Sequence, residues 1–216
     1  MSGATAHKAR IAVMISGRGS NMLALADACE DPAFPARIAL VLSDKADAAG
    51  LARAAERGIA TRAIARKAYP SRAAFDDAMH AALVEAGVER VCLAGFMRIL
   101  GSEMVSRWPG KMLNIHPSLL PSFKGLDTHQ RALDAGVTLH GATVHEVVPE
   151  LDSGPIVAQV AVPVAPDDDA DSLAARVLSV EHRLYVSALA RHLGAGGPFE
   201  ADAPAFFHPP LWDGRR

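Results

Sequence analysis

The chain has 216 residues, 50% hydrophobic and 21% charged, with a formal net charge of −2. That length favours one domain, and a core that buries roughly 70% of the surface an unfolded chain exposes. The charge balance argues against nucleic acid as a partner, and the apolar run IAVMI near the N-terminus is too short for a signal-peptide core or a membrane span, so a cytoplasmic protein with no membrane partner is expected.

RIAVMIS, residues 10–16, is a continuous apolar run, the pattern of a central parallel strand covered on both faces. GRGSN follows, and then a helical pattern over 22–29. ARIALVLS (36–43) is the second strand, with a helix over 47–57, and IATRAIA (59–65) is a short third strand. Ser71 is placed to cap a helix that runs to about residue 86. VERVCLAGF (88–96) and KMLNIH (111–116) are the fourth and fifth strands. This alternation predicts an α/β fold: an open, mainly parallel twisted sheet with helices on both faces. After residue 125 the pattern changes. LHGATVHEVV (139–148) and GPIVAQVAVPV (154–164), joined by PELDS, predict a hairpin-like, partly antiparallel extension. A long helix is expected over 169–192, behind the acidic stretch PDDDADS, whose charges suit a helix start. The Gly- and Pro-rich tail, 196–216, predicts little regular structure. Cys29 and Cys92 match no metal or redox spacing and are expected to be buried thiols in a reducing compartment.

GRGSN lies between a buried strand and a helix, where ligands collect in open α/β sheets. Glycines let the backbone approach a phosphate, and the free N–H groups of the helix start bind it, with Ser20 and Asn21 adding side-chain donors. Met22 stands where a dinucleotide fingerprint needs its third glycine, and no Gly-Lys-Ser/Thr follows, so one phosphate fits better than a pyrophosphate. The loop alone also fits a tight turn with no ligand. Arg18, at its crest between two glycines, is expected to face water.

NIHPSLLPSFKG, residues 114–125, ends the fifth strand on Asn-x-His. Residues two apart share a face, so Asn114 and His116 point together. Pro117 ends the ladder, because it has no N–H, and restricts the backbone of His116. An amide and an imidazole on one face suit an oxyanion. Alone, the pair also reads as a capped turn beside a satisfied histidine. Asp152, in the turn of ELDSGP, would favour the imidazolium if it met His116, or would simply bond its own turn. His140 and His145, five apart on a strand, would face opposite sides, which argues against a shared metal. Glu181 alone reads as a solvated helical charge.

Taken together, ISGRGSNM, LAGFMRIL, NIHPSLLPSFKG, HGATVHEV with ELDSGPI, and RVLSVEHRLY resemble, in order and over almost the whole chain, the folate-dependent phosphoribosylglycinamide formyltransferases of purine synthesis. The resemblance implies a Rossmann-like formyltransferase domain over 1–216. Within it, 9–110 would be the phosphate-binding half, 111–195 the folate and catalytic half, and 196–216 an irregular tail. It implies catalytic roles for Asn114, His116 and Asp152. Gly19, Ser20 and Asn21 would bind the substrate phosphate, and Glu181 the ribose hydroxyls. Arg72, Met97, Arg98, Leu100, Val148, Pro149, Glu150 and Leu151 would surround the folate. Arg18 departs from the Asn frequent at that position. The implied substrates are 10-formyltetrahydrofolate and glycinamide ribonucleotide, with no metal. Methionyl-tRNA formyltransferase and formyltetrahydrofolate deformylase share the motif but normally carry added domains. A nucleotide-binding module without catalysis is the alternative from another class. Oligomeric state is not legible in the sequence.

Overall fold

The computed structural model describes residues 7–194. Among these, seven strands form one sheet in the order β3-β2-β1-β4-β5-β6-β7. The strands are β1 (Ala9–Ile15), β2 (Ala36–Ser43), β3 (Thr61–Ala63), β4 (Arg90–Leu93), β5 (Met112–His116), β6 (Leu139–Glu146) and β7 (Ile156–Pro163). The helices are α1 (Ser20–Glu30), α2 (Ala49–Glu56), α3 (Arg72–Glu85), α4 (Ser102–Ser106), α5 (Thr128–Asp134) and α6 (Ala170–His192). Strands β1 to β5 pair in parallel, whereas β5–β6 and β6–β7 are antiparallel. The expected α/β sheet and its antiparallel extension are both present.

Alternate residues of each central strand fill two cores. Ile11, Val13 and Ile15 of β1 pack with Leu184, Tyr185 and Ala188 of α6, while Ala12 and Met14 pack with Phe75, Met79 and Leu83 of α3. Burial on both faces is the reason β1 reads as an unbroken apolar run. Ser71 accepts from the Ala74 N–H and starts α3. Asp169 and Ser172 close a reciprocal capping box at the start of α6. The Tyr185 hydroxyl is 3.1 Å from the carbonyls of both Leu93 and Leu113, which fixes α6 against β4 and β5.

Several expected boundaries move. β4 ends at Leu93 rather than at residue 96, because Gly95 takes a φ of 72° and turns the chain out of the sheet. β3 keeps only three residues. Helices α4 and α5, of five and seven residues, were not anticipated. Cys92 is buried, but Cys29 is only partly so. The tail, 196–216, lies outside the described residues. No helix among the described residues is long and apolar enough to cross a membrane.

Chain order runs outward from β1 through β2 to β3, and then returns to place β4 on the other side of β1. The carboxyl ends of β1 and β4 are therefore a topological switch point, where an open sheet leaves a crevice for ligands.

His140 of β6 is fully buried, with its ring edge-on to those of Phe123 and His129. Burial pushes this imidazole down from 6.5 to about 4, with His129 adding to the shift. An unfolded chain takes up that proton near 6.5 and the folded chain only near 4, so stability falls as pH drops between those values. The urea midpoint should decrease from pH 7 to pH 4.5, and His140→Leu should flatten that decrease. An unchanged slope in the variant would place the acid sensitivity elsewhere.

Candidate active site

Asn114 and His116 leave the end of β5 on one face, opposite His145 and Thr143 of β6. Directly paired residues share a face, so the register brings all four together. The loop between β6 and β7 folds back over that face and delivers Asp152. Its Oδ2 lies 3.6 Å from His116 Nδ1, its Oδ1 lies 3.7 Å from His145 Nε2, and its side chain is 7% exposed. Asp152 takes a φ of 48°, a left-handed turn that aspartate tolerates better than bulkier residues. Gly125 N–H donates to its Oδ2 at 2.9 Å.

The hydrogen bonds assign the ring protons. His145 Nδ1 is 2.9 Å from the Glu146 carbonyl, which only accepts, so the hydrogen is on Nδ1. Nε2 of the neutral ring is then an acceptor, and Asn114 Nδ2 donates to it at 3.1 Å. Burial favours that neutral form by lowering the affinity of His145 for a second proton, against the opposing pull of the Glu146 carbonyl and Asp152. His145 thus fixes which way the Asn114 amide points and leaves its other N–H for a ligand. His116 Nε2, 3.0 Å from the Phe123 carbonyl, must likewise carry hydrogen, so Nδ1 faces the carboxylate. Any proton on Nδ1 makes the ring a cation beside Asp152.

The loop after Pro117 is held without a ladder. The Thr143 hydroxyl donates to the Ser118 carbonyl at 2.7 Å and accepts from Leu120 N–H at 3.0 Å and Gln159 Nε2 at 2.9 Å. One donor and two lone pairs are all a hydroxyl has, so its capacity is full. Lys124 Nζ donates to Ser153 Oγ at 2.6 Å and joins this loop to the one that carries Asp152.

At the other part of the edge, Gly19 takes a φ of 73° between β1 and α1. Ser20 opens the helix, and Arg18 is exposed, as expected. Asn21 has a partner within the protein that the sequence did not indicate. Its Nδ2 donates at 2.7 Å to Oε2 of Glu181, and both residues are buried. Glu181 is therefore no solvated charge: burial raises its proton affinity and the Asn21 bond opposes that rise. Gly50, at the start of α2, completes the loop. Its N–H donates to the Gly17 carbonyl at 3.0 Å, and a Cβ there would lie 2.4 Å from Ile15 Cδ1.

Arg72 lies exposed at the first turn of α3, with its Nε 3.6 Å from where a Cβ on Gly101 would stand. Met97 is 66% exposed and Leu151 51%, while Leu100 is buried. Arg98 donates through Nε to Asp44 at 2.6 Å. Val148 is half-buried, and Pro149 and Glu150 are exposed on the loop ahead of Asp152. Among the described residues no group of three or more His, Cys, Asp or Glu side chains is arranged to hold a metal ion.

His145, weighed in the sequence only as a metal ligand, Thr143 and Gly50 are the residues whose place in the site motif reading missed. The signal for the first two was cross-strand pairing with Asn114 and His116, and for Gly50 a packing contact between adjacent loops.

The sequence pattern of the formyl transferase family matches residues 9–189. The chain is 53% identical over 182 residues to the trifunctional purine biosynthetic protein adenosine-3 of Bos taurus, covering 84% of this chain and 18% of that protein. It is 46% identical over 175 residues to the phosphoribosylglycinamide formyltransferase of Escherichia coli, covering 81% of this chain and 82% of that one. The crystal structure of phosphoribosylglycinamide formyltransferase from Brucella melitensis superposes with a TM-score of 0.83 at 53% identity, over 87% of this chain and 97% of that one. The chain spans about a fifth of the trifunctional relatives and most of the single-function ones. A match over most of the chain, joined to the same fold, makes this chain a member of the formyl transferase family.

Proposed function

We propose that this chain transfers the formyl group of 10-formyltetrahydrofolate to the amine of glycinamide ribonucleotide, a step of purine biosynthesis. The observation that carries the reading is the placement of Asn114, His116 and Asp152 on one face at the end of β5. The family membership supports a folate co-substrate, and the names of the relatives support the acceptor.

The acceptor amine attacks the formyl carbon, a C–N bond forms, and the carbonyl oxygen becomes an oxyanion. The free N–H of Asn114 and the imidazolium of His116 stabilise that oxygen. Because His116 Nε2 is engaged by the Phe123 carbonyl, the ring acts through its charge unless that bond is exchanged for one to the substrate oxygen. Asp152 balances the imidazolium and receives the proton that the amine loses. The C–N bond to the folate nitrogen then breaks, and the proton ends on that nitrogen. Backbone N–H groups at Gly19 and Ser20 hold the phosphate. Asn21 orients Glu181, which takes the ribose hydroxyls. The exposed apolar side chains of Met97 and Leu151, with Val148 and Pro149, offer surface to the pterin, and Arg72 offers charge to the carboxylate tail.

An ultraviolet assay of folate release, with and without the ribonucleotide, tests this reading. Turnover should require the ribonucleotide, and His116→Ala should lower kcat by roughly 10²–10⁴-fold. Rapid formate release without acceptor would make the chain a hydrolase, and near-normal turnover of folded His116→Ala would remove that residue from the chemistry.

The phosphate loop yields a second prediction. Arg18, exposed at the crest, is worth little beside backbone donors, so Arg18→Asn should change KM for the ribonucleotide by less than about fivefold. Gly50→Ala sets a Cβ 3.1 Å from the Gly17 carbonyl oxygen and 3.2 Å from Gly19 Cα, which presses on the loop and disturbs charge-assisted bonds of about 1.5–3 kcal/mol each, so KM should rise by roughly tenfold or more. The reverse ranking would identify Arg18 as a direct phosphate ligand.

A further inference from the structure

The loop after β4 is tied to its neighbours more firmly than its own turn requires. Ser16, the last residue before the glycine loop, donates through N–H to the Gly95 carbonyl at 3.1 Å. Its hydroxyl accepts from Met97 N–H at 2.9 Å and donates to Asp44 Oδ1 at 2.5 Å. The other carboxylate oxygen of Asp44 accepts from Arg98 Nε at 2.6 Å. The Asp44 side chain is 1% exposed and that of Arg98 is 40%. A buried carboxylate persists only when its oxygens are bonded, and here each oxygen is bonded to a different loop.

The directions of these bonds matter. Ser16 has one hydroxyl hydrogen and gives it to Asp44, so a lone pair is turned to Met97 N–H. The glycine loop begins one residue after Ser16, and the segment Met97–Leu100 begins at that N–H. Asp44 follows directly after β2, and the same β2–α2 connection leads to Gly50, whose N–H bonds the Gly17 carbonyl. The three loops thus share one set of bonds, and a displacement of one moves the others.

We propose that Asp44 is a positioning residue that couples the two substrate loops, so that filling the phosphate pocket raises affinity for the folate. This rests on the functional reading given above. Ribonucleotide bound at Gly19 and Ser20 fixes Ser16, Ser16 and Asp44 fix Met97 and Arg98, and the folate meets a loop already in place. The coupling is reciprocal: folate raises ribonucleotide affinity by the same factor.

Calorimetric titration with tetrahydrofolate, alone and with saturating glycinamide ribonucleotide, tests the proposal in the parent protein, Asp44→Asn and Ser16→Ala. The ribonucleotide should tighten tetrahydrofolate binding about fivefold in the parent, within the usual range of coupling. In both variants the factor should fall below about twofold. Asp44→Asn keeps an acceptor for Ser16 but sets an amide against Arg98. Ser16→Ala keeps the Asp44–Arg98 pair and carries the test if Asp44→Asn does not fold. A purely structural role would lower the melting temperature and leave the factor intact. A parent factor near one, or an undiminished factor in a folded variant, overturns the proposal. Failure of the parent to bind either ligand overturns the functional reading itself, whereas binding of both without mutual effect overturns only the coupling.

Discussion

Strand β5 loses its ladder at Pro117, and the site depends on what holds the chain beyond that point. One buried hydroxyl is the hub of the bonds that replace it. Thr143 pairs with His116 across the sheet and uses its one donor and both lone pairs on Ser118, Leu120 and Gln159. This keeps the 117–125 loop close enough for the Phe123 carbonyl to take the His116 Nε2 hydrogen and for Gly125 N–H to reach Asp152. Without that loop, His116 could rotate and Asp152 would lose a donor. Oxyanion stabilisation needs donors fixed before charge develops, which is the condition this bonding meets.

The sheet topology separates two tasks along one edge. Parallel β1, β4 and β5 end side by side, so the glycine loop, the loop after β4 and the Asn114–His116 pair follow one another. Helix α6 packs in the core against Ile11, Val13 and Ile15 of β1 and carries Glu181 to Asn21 of α1. Tyr185, one turn further on, bonds the carbonyls of Leu93 and Leu113. The antiparallel β6 and β7 then supply what a parallel strand could not: a connection that folds back over the face of Asn114 and His116 with Asp152 on it.

Much of this was legible in the sequence, for identifiable reasons. The continuous run at 10–16 reports burial on both faces, and the capping residue Ser71 and the acidic stretch PDDDADS report helix starts, so most long elements could be placed. Helices α4 and α5 are too short to show a helical period. The fourth strand was expected to reach Phe96, but Gly95 turns the chain out of the sheet, and Met97 and Ile99 beyond it end two-thirds exposed. At the site, the shared face of Asn114 and His116 follows from strand alternation. His145 does not, because it meets Asn114 by pairing across 31 positions, and the two possible faces of β6 cannot be told apart from one strand alone. The bond from Asn21 to Glu181 was not legible either, because the two residues stand 160 positions apart. The bonds of Asp44 were hidden for the same reason.

The proposed reaction requires His116 and Asp152 to act as one unit. Groups that act together give losses that do not multiply. The most direct measurement is kcat for His116→Ala, Asp152→Asn and the double variant, each confirmed folded. The double variant should lose no more than about threefold beyond the worse single variant. A double loss equal to the product of the two single losses would show that the carboxylate and the imidazole work independently, contradicting that requirement.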